Sequence, residues 1–391
     1  VIVAVEGGLV EHGSNIHLGV NLAFLRAGVG GSQVFVTQMV QALSRLPELR
    51  LTLFCFPDAA PCFRDLNADL VLLSQRPYAL PRRLLAESLS LAQGVWRAKI
   101  DVLWSPANFC APIPRAIVPQ VVTVHDLQHC RFPDFFTRRK RLARQGAMRF
   151  TLGHAAALTA VSAFTAGELT RFYSVPPERI TVIHEGVEPI SPLAPAALAA
   201  LREVYGLQRP FLFYPAAPWP SKNHPALLAA YAMLLQQGYD LDLVLCGVGQ
   251  PPLDTWLAPL DARARSRVRH LGFLPRSDFF GVMQAAKLMI FPSLYEGFGL
   301  PLLEAMACGT PVVAGRAGSS PEVCGAAAQY VDPCSVDGIA AGVRAVLDNP
   351  ALGAQLIAAG GAQAASFSWS SSAQSLRDCL LSVQGLACQD A

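Results

Sequence analysis

Short apolar runs alternate with amphipathic stretches along the chain, and the alternation predicts strands and helices in turn. Residues 16–25 predict a strand, 33–46 a helix and 51–56 a strand. Apolar runs at 118–124, 155–161 and 180–184 continue the pattern, and runs this uniformly apolar suit parallel strands buried on both faces. Between residues 188 and 210, Pro189, Pro192, Pro195 and an Ala-rich patch interrupt the rhythm, which predicts a link between domains. It restarts with predicted strands at 211–214, 241–246, 268–272, 288–292 and 311–314, and a helix at 225–236. A last stretch, 371–383, sets Leu376, Cys379, Leu380 and Val383 on one face, as a packed terminal helix would. The expectation is two doubly wound α/β domains, 1–187 and 188–368, followed by a C-terminal helix and tail at 369–391.

Composition narrows the class. The chain has 391 residues, 52% hydrophobic and 15% charged, with its 30 glycines and 30 prolines scattered, so disorder and collagen-like repeats are excluded. A net charge of +3 is too mild to indicate nucleic acid as a partner. The mean hydropathy of +0.35 raises the question of a membrane span. Yet the uncharged stretches 223–239 and 349–376 carry too many polar and Gly residues to be one. The first fourteen residues hold Glu6 and Glu11 and no basic n-region, which argues against a secretory signal, so a cytoplasmic location is expected. Ten cysteines without a Cys-x-x-Cys pair read as reduced thiols, buried in the case of Cys55 and Cys246.

The most informative string is Phe291-Pro-Ser-Leu-Tyr-Glu-Gly-Phe-Gly-Leu-Pro-Leu-Leu-Glu-Ala-Met-Ala-Cys-Gly-Thr-Pro-Val-Val313. It reads as a strand end, a glycine loop, a helix opening near Pro301 and another strand. Gly297 and Gly299 let backbone N–H groups approach a ligand, and the helix dipole favours an anion there, a phosphate being the natural guest. Glu296 in the loop and Glu304 in the predicted first helical turn would put two carboxylates beside that anion, able to accept hydrogen bonds from sugar hydroxyls.

This string resembles the glycosyltransferase family 4 signature of two glutamates eight positions apart, and the match runs on through Ala317-Gly-Ser-Ser-Pro-Glu-Val323 to Val331-Asp-Pro333. The resemblance implies a GT-B fold, two Rossmann-like domains facing a cleft with the C-terminal helix packing back on the first. It also implies a retaining transfer of a hexose from a nucleotide diphosphate sugar, with a mannosyltransferase-like subgroup nearest. Carried over by position, Glu296 would touch the donor sugar, Glu304 the ribose, and the amides around Phe298, Gly299 and Leu300 the sugar and diphosphate. Lys222, in Tyr214-Pro-Ala-Ala-Pro-Trp-Pro-Ser-Lys-Asn-His224, falls where the family places a lysine that neutralises the leaving diphosphate. The arginine that many members carry shortly before that lysine is missing from Ala216-Ala-Pro-Trp219, a departure that reads as a subgroup feature.

In the first half, Arg26-Ala-Gly-Val-Gly-Gly-Ser-Gln33 resembles the family's N-terminal glycine loop, with Gly30 and Gly31 at its core. As a dinucleotide fingerprint it fails at Gln33, where helix packing needs a small residue. Gly247 and Gly249 follow a predicted strand and would border the nucleotide. His125 and Asp126 end the strand in Val121-Val-Thr-Val-His-Asp126, at the edge where open α/β sheets bind ligands. The family places a histidine here near the donor hexose, and Asp126 would orient it or the acceptor. His129 and His154 read as structural. Asp240-Leu-Asp242 reads as a surface turn, so no metal and no cofactor are expected, with lysine, helix dipole and amides offsetting the diphosphate charge. The basic run holding Arg138, Arg139, Lys140, Arg141 and Arg144 follows three phenylalanines. It reads either as a solvated helix or as a contact with an anionic inner membrane face, which a lipid-linked acceptor would favour over a soluble glycan. Enzymatic alternatives are a nucleotide-sugar epimerase or hydrolase; a non-catalytic nucleotide-binding assembly partner is the alternative outside enzymes.

Overall fold

Among the residues described by the computed structural model, 16–25, 31–73, 80–249 and 252–387, two all-parallel sheets carry the chain. The first contains β1 (Ile16–Asn21), β2 (Leu49–Cys55), β3 (Asp69–Leu72), β4 (Val102–Ser105), β5 (Gln120–Val124), β6 (Ala157–Ala160) and β7 (Ile180–Val182) in the order β3-β2-β1-β4-β5-β6-β7. The second contains β8 (Phe211–Pro215), β9 (Asp242–Cys246), β10 (Val268–His270), β11 (Leu288–Phe291), β12 (Val312–Gly315) and β13 (Ala328–Val331) in the order β10-β9-β8-β11-β12-β13. Each order reverses direction once, between β1 and β4 and between β8 and β11. Such reversals open a crevice at the carboxyl ends of the strands.

Burial explains why these runs are strands. Every residue of β4, β5, β8, β9, β11 and β12 is buried, as expected for parallel strands covered by helices on both faces. Phe54, Phe211, Phe213 and Phe291 are fully buried, each contributing about 1.5–3 kcal/mol relative to exposure. Trp104 of β4 is equally enclosed, and its indole N–H is satisfied by Thr123 Oγ1 at 2.9 Å. β3, β4 and β13 are absent from the strands expected from apolar runs.

The chain divides into one unit of Val1–Glu185 with Trp369–Ala391 and another of Gly186–Ser368. The proline-rich stretch expected to be a linker holds a helix, Pro195–Val204, in the second unit. Pro195 suits the first helical position and the Ala/Leu-rich body has high helix propensity, which outweighs the breaking effect of the flanking prolines. The terminal helix Trp369–Ala387 packs in the first unit. Trp369 meets Phe35 edge-on at 5.9 Å, Ser372 Oγ donates to the His184 carbonyl at 2.7 Å, and Arg377 pairs with Glu48 at 3.4 Å.

Cys55 and Cys246 are buried free thiols, and burial pushes both up to about 11. No described helix is long and apolar enough to cross a membrane.

Candidate active site

The loops after β8 and β11 flank the reversal of the second sheet, and they bring together residues far apart in sequence. After β8 a short 3-10 turn, Pro220–Lys222, is pinned from three sides. The Tyr214 hydroxyl donates to the Lys222 carbonyl. Leu294 N–H donates to Ser221 O at 2.8 Å. Asn223, in the left-handed region at φ 60°, donates its side-chain amide to Pro292 O at 3.1 Å and Pro333 O at 2.7 Å. The turn therefore cannot drift relative to the β11 loop. Its fixed geometry sets Lys222 Nζ 2.6 and 2.8 Å from the two carboxylate oxygens of Glu296, and 5.2 Å from the Phe291 ring centroid.

Glu296 is buried, and its backbone is braced by the segment that follows β12. Ser319 donates from its N–H and its hydroxyl to Glu296 O, at 3.1 and 3.2 Å, and the hydroxyl also reaches Phe298 O at 2.7 Å. Gly318 makes this approach possible. Its φ is +60°, and a Cβ there would lie 2.5 Å from Glu296 O and 2.6 Å from Glu296 N. Gly299, at φ 95°, then caps the helix Leu300–Ala307, whose N-terminal amides face the end of this loop.

Glu304 is corrected from its expected place. Because the helix begins at Leu300, Glu304 is its fifth residue and sits in the second turn. The carboxylate is buried and forms an ion pair with Arg276, whose Nη2 lies 2.6 Å from Oε1. Arg276 opens the helix Arg276–Ala285 and lies over the Phe280 ring at 4.4 Å. Gly247 and Gly249 follow β9. Gly247 has φ 132°, packs against Ala216 and Ala217 in the loop after β8, and donates to Gly272 O at 2.8 Å. Beneath these loops, burial and the Glu296 charge drive the Tyr214 phenol well above its ordinary range. Burial lowers His224 to about 3, only partly opposed by its hydrogen bond to Ala216.

In the first unit His125 directly follows β5. Its N–H donates to Asn108 Oδ1 at 2.6 Å, its carbonyl accepts from Thr165 Oγ1 at 3.2 Å, and its Nε2 lies 2.7 Å from Pro106 O. Nδ1 faces Glu185 Oε1 at 3.6 Å. Asp126 accepts from Gln128 N–H at 3.1 Å, shaping the turn into the next helix. Gly31 opens the helix Gly31–Leu43, while Gly30 lies outside the described residues.

His129 is buried with Nε2 3.1 Å from the Tyr173 hydroxyl, and His154 Nδ1 lies 2.8 Å from Phe150 O. Asp242 is no surface turn: it is buried at the start of β9 and paired with Arg267 at 3.3 Å and Arg269 at 3.2 Å. The basic run forms the helix Arg138–His154, capped by Thr137, with Arg138, Arg139 and Lys140 exposed beside an exposed Leu142.

Sequence reasoning missed Arg276, Glu185 and Ser319. Ser319 lay inside the string already singled out, but its contacts were not legible. Arg276 had a weak signal, an arginine after Pro275 at a helix start, and Glu185 had none.

Comparison with known proteins places the chain in a family and a fold. Residues 29–191 match the family described as Glycosyltransferase Family 4, and residues 201–363 match Glycosyl transferases group 1. The chain is 30% identical over 273 residues to O-antigen chain mannosyltransferase B of Escherichia coli, covering 69% of this chain and 71% of that protein. It is 34% identical over 226 residues to the serotype-specific mannosyltransferase WbdA of Escherichia coli, covering 56% of this chain but only 28% of that longer protein. Among solved structures, Anabaena Alr3699/HepE in complex with UDP and glucose superposes with a TM-score of 0.75 at 19% identity, over 94% of this chain and 100% of that one, which establishes the shared GT-B fold.

Proposed function

The chain belongs to glycosyltransferase family 4 and is a glycosyltransferase, and from that premise we propose that it transfers a hexose, mannose in first place, from a nucleoside diphosphate sugar with retention of anomeric configuration. The acceptor would be a glycan or a lipid-linked sugar in bacterial-type surface polysaccharide synthesis. The mannosyltransferase names of its relatives support the sugar, and the polysaccharide setting of the O-antigen enzyme supports the pathway class.

The observation that carries the reading is the Lys222–Glu296 pair at the sheet reversal, next to a helix N-terminus. An ammonium and a carboxylate side by side suit a ligand that presents phosphate oxygens and hydroxyls together. The carboxylate accepts from hexose hydroxyls, while the ammonium and the amides around Phe298, Gly299 and Leu300 offset the diphosphate charge that grows as the glycosidic bond breaks. Gly297 keeps the loop open to the sugar, Gly247 and Gly249 border the nucleotide, and Glu304 takes the ribose hydroxyls. His125, with Asp126 orienting it or the acceptor, and Gly30 and Gly31 are the first unit's candidate contributors.

The acceptor hydroxyl attacks from the face the diphosphate leaves, and its proton passes to the departing phosphate. No metal or cofactor takes part in this scheme. A cytoplasmic protein held at the inner membrane face by Arg138, Arg139, Lys140, Arg141 and Arg144 would meet a lipid-linked acceptor there.

The test is calorimetry of the protein against GDP, UDP, ADP and their hexose conjugates in EDTA, alongside Lys222→Ala and Glu296→Ala, followed by turnover with the best donor and NMR of the product anomer. Metal-free binding of a guanine donor that Lys222→Ala weakens, with an anomer matching the donor's, is expected. Binding of no nucleoside diphosphate sugar would sink the donor assignment, and an inverted product would sink retention.

A further inference from the structure

His125 is held at every polar atom, and its two ring nitrogens meet partners that only accept. The Pro106 carbonyl, 2.7 Å from Nε2, requires a proton on that nitrogen. Glu185 Oε1 then stands 3.6 Å from Nδ1. In the neutral ring, Nδ1 would turn a lone pair toward a carboxylate; protonated, it turns an N–H. Glu185 is itself buried, at 7% exposure, so losing that proton would leave a carboxylate enclosed without a cation beside it.

We propose that Glu185 is a positioning residue that holds His125 as an imidazolium at neutral pH, so that His125 supplies a positive charge there and does not act as the base that takes the acceptor's proton. The proposal rests on the reading that His125 borders the donor, and it adds a residue and a charge state to that site. The charged groups acting on the ring are Glu185 and Asp126. The helix Gly31–Leu43 presents the Phe35 ring, edge-on at 4.6 Å, and the helix Ala163–Tyr173 presents the Thr165 hydroxyl to the His125 carbonyl. Burial works against the charged ring, but the Glu185 carboxylate, the Pro106 carbonyl and Asp126 outweigh it and raise His125 above its ordinary value.

An imidazolium at neutral pH is consistent with a reaction in which the leaving diphosphate itself receives the proton. It also means that the charge of this site is lost as pH rises through the raised value, and that Glu185 sets where that happens.

The experiment is NMR titration of the full chain labelled with 15N and 13C histidine, with the His125 resonance assigned by its loss in His125→Gln. In the wild type, His125 is expected to stay doubly protonated above the usual midpoint of about 6.5. Glu185→Gln is expected to bring its midpoint down by about one unit or more, and Glu185→Asp to restore part of the shift. At pH 7.5, Glu185→Gln is expected to lower kcat about tenfold with nucleotide affinity changed less than about twofold, and to move the alkaline limb of the rate profile with the NMR midpoint.

A wild-type midpoint at or below the ordinary value overturns the proposal, and that result does not depend on any variant folding. An unmoved midpoint in a folded Glu185→Gln also overturns it. Failure to bind any nucleoside diphosphate sugar would defeat the donor reading instead, leaving the titration to decide the Glu185–His125 relation.

Discussion

Arg276 Nη2 lies 2.6 Å from Glu304 Oε1, and the two ends of this pair are unequally enclosed: the Glu304 side chain is 3% exposed, the Arg276 side chain 44%. In the proposed site Glu304 accepts ribose hydroxyls, and the cation paired with it stays accessible, so the pair would leave the site open. Arg276→Ala leaves Glu304 without that cation. Nucleoside diphosphate affinity is expected to fall about tenfold, with kcat nearly unchanged and Arg276→Lys recovering part of the loss. Calorimetry and steady-state kinetics check this, and unaltered affinity in Arg276→Ala would refute a role in nucleotide binding.

Gly318 occupies a position no side chain can share. At φ +60°, and with its Cβ direction blocked by Glu296 O at 2.5 Å, Gly318→Ala must push the Glu296 loop aside. The expected cost is about 2–4 kcal/mol of stability, together with loss of donor binding beyond what unfolding explains. Chemical denaturation beside calorimetry at low temperature separates the two effects. Gly361→Ala, in open space within the helix Pro350–Ala365, is the control, expected to gain about 0.5–1 kcal/mol of stability and to leave donor binding unchanged.

His224 makes stability depend on acid. It is buried and held neutral, its value depressed to about 3 by desolvation, with Tyr214 at 4.8 Å and Trp256 at 4.4 Å between ring centroids. The unfolded chain takes up a proton near the ordinary value and the folded chain does not, so stability is lost as pH falls from about 6.5 toward 3, with a slope of about 1.4 kcal/mol per pH unit for this one proton. His224→Gln is expected to flatten the pH dependence of urea unfolding by one proton between pH 4 and 6. An unchanged slope would show that other groups carry it.

The helix Arg138–His154 gives the membrane proposal a direct test. Vesicles of phosphatidylglycerol are expected to co-sediment with the protein, and phosphatidylcholine vesicles not to. Arg139→Glu combined with Lys140→Glu should reduce binding by more than about tenfold, as should raising the salt. Equal binding to both lipids, or none to either, would remove the membrane from the picture while leaving transferase activity to be judged separately.

Much of this molecule is written locally. The alternation of apolar runs and amphipathic stretches encodes parallel α/β units, because burial on both faces of a strand and on one face of a helix leaves different periods in the chain. The loop from Glu296 to Leu300 is likewise local: glycines, a proline at the second helical position and a strand before it suffice to aim a helix N-terminus. Where local signals were weak the reading failed in understandable ways. The strand β4 was passed over, an alanine-rich helix hid among prolines, and a helix beginning at Leu300 moved Glu304 down a turn.

The sequence by itself determined the kinds of element, their order and the residue types able to bind an anion beside hydroxyls. Tertiary structure alone decided the partners: Lys222 with Glu296, Arg276 with Glu304, Glu185 with His125, and Ser319 on the loop of Glu296. Lys222 meets Glu296 because β8 lies beside β11, and Ser319 meets the Glu296 loop because β12 lies beside β11, whereas Arg276 and Glu185 reach their partners from strands that are not neighbours; that order is settled by how sheets and helices bury their faces together. A side chain's partner across such a sheet depends on every intervening element packing at once, so no window of sequence contains it.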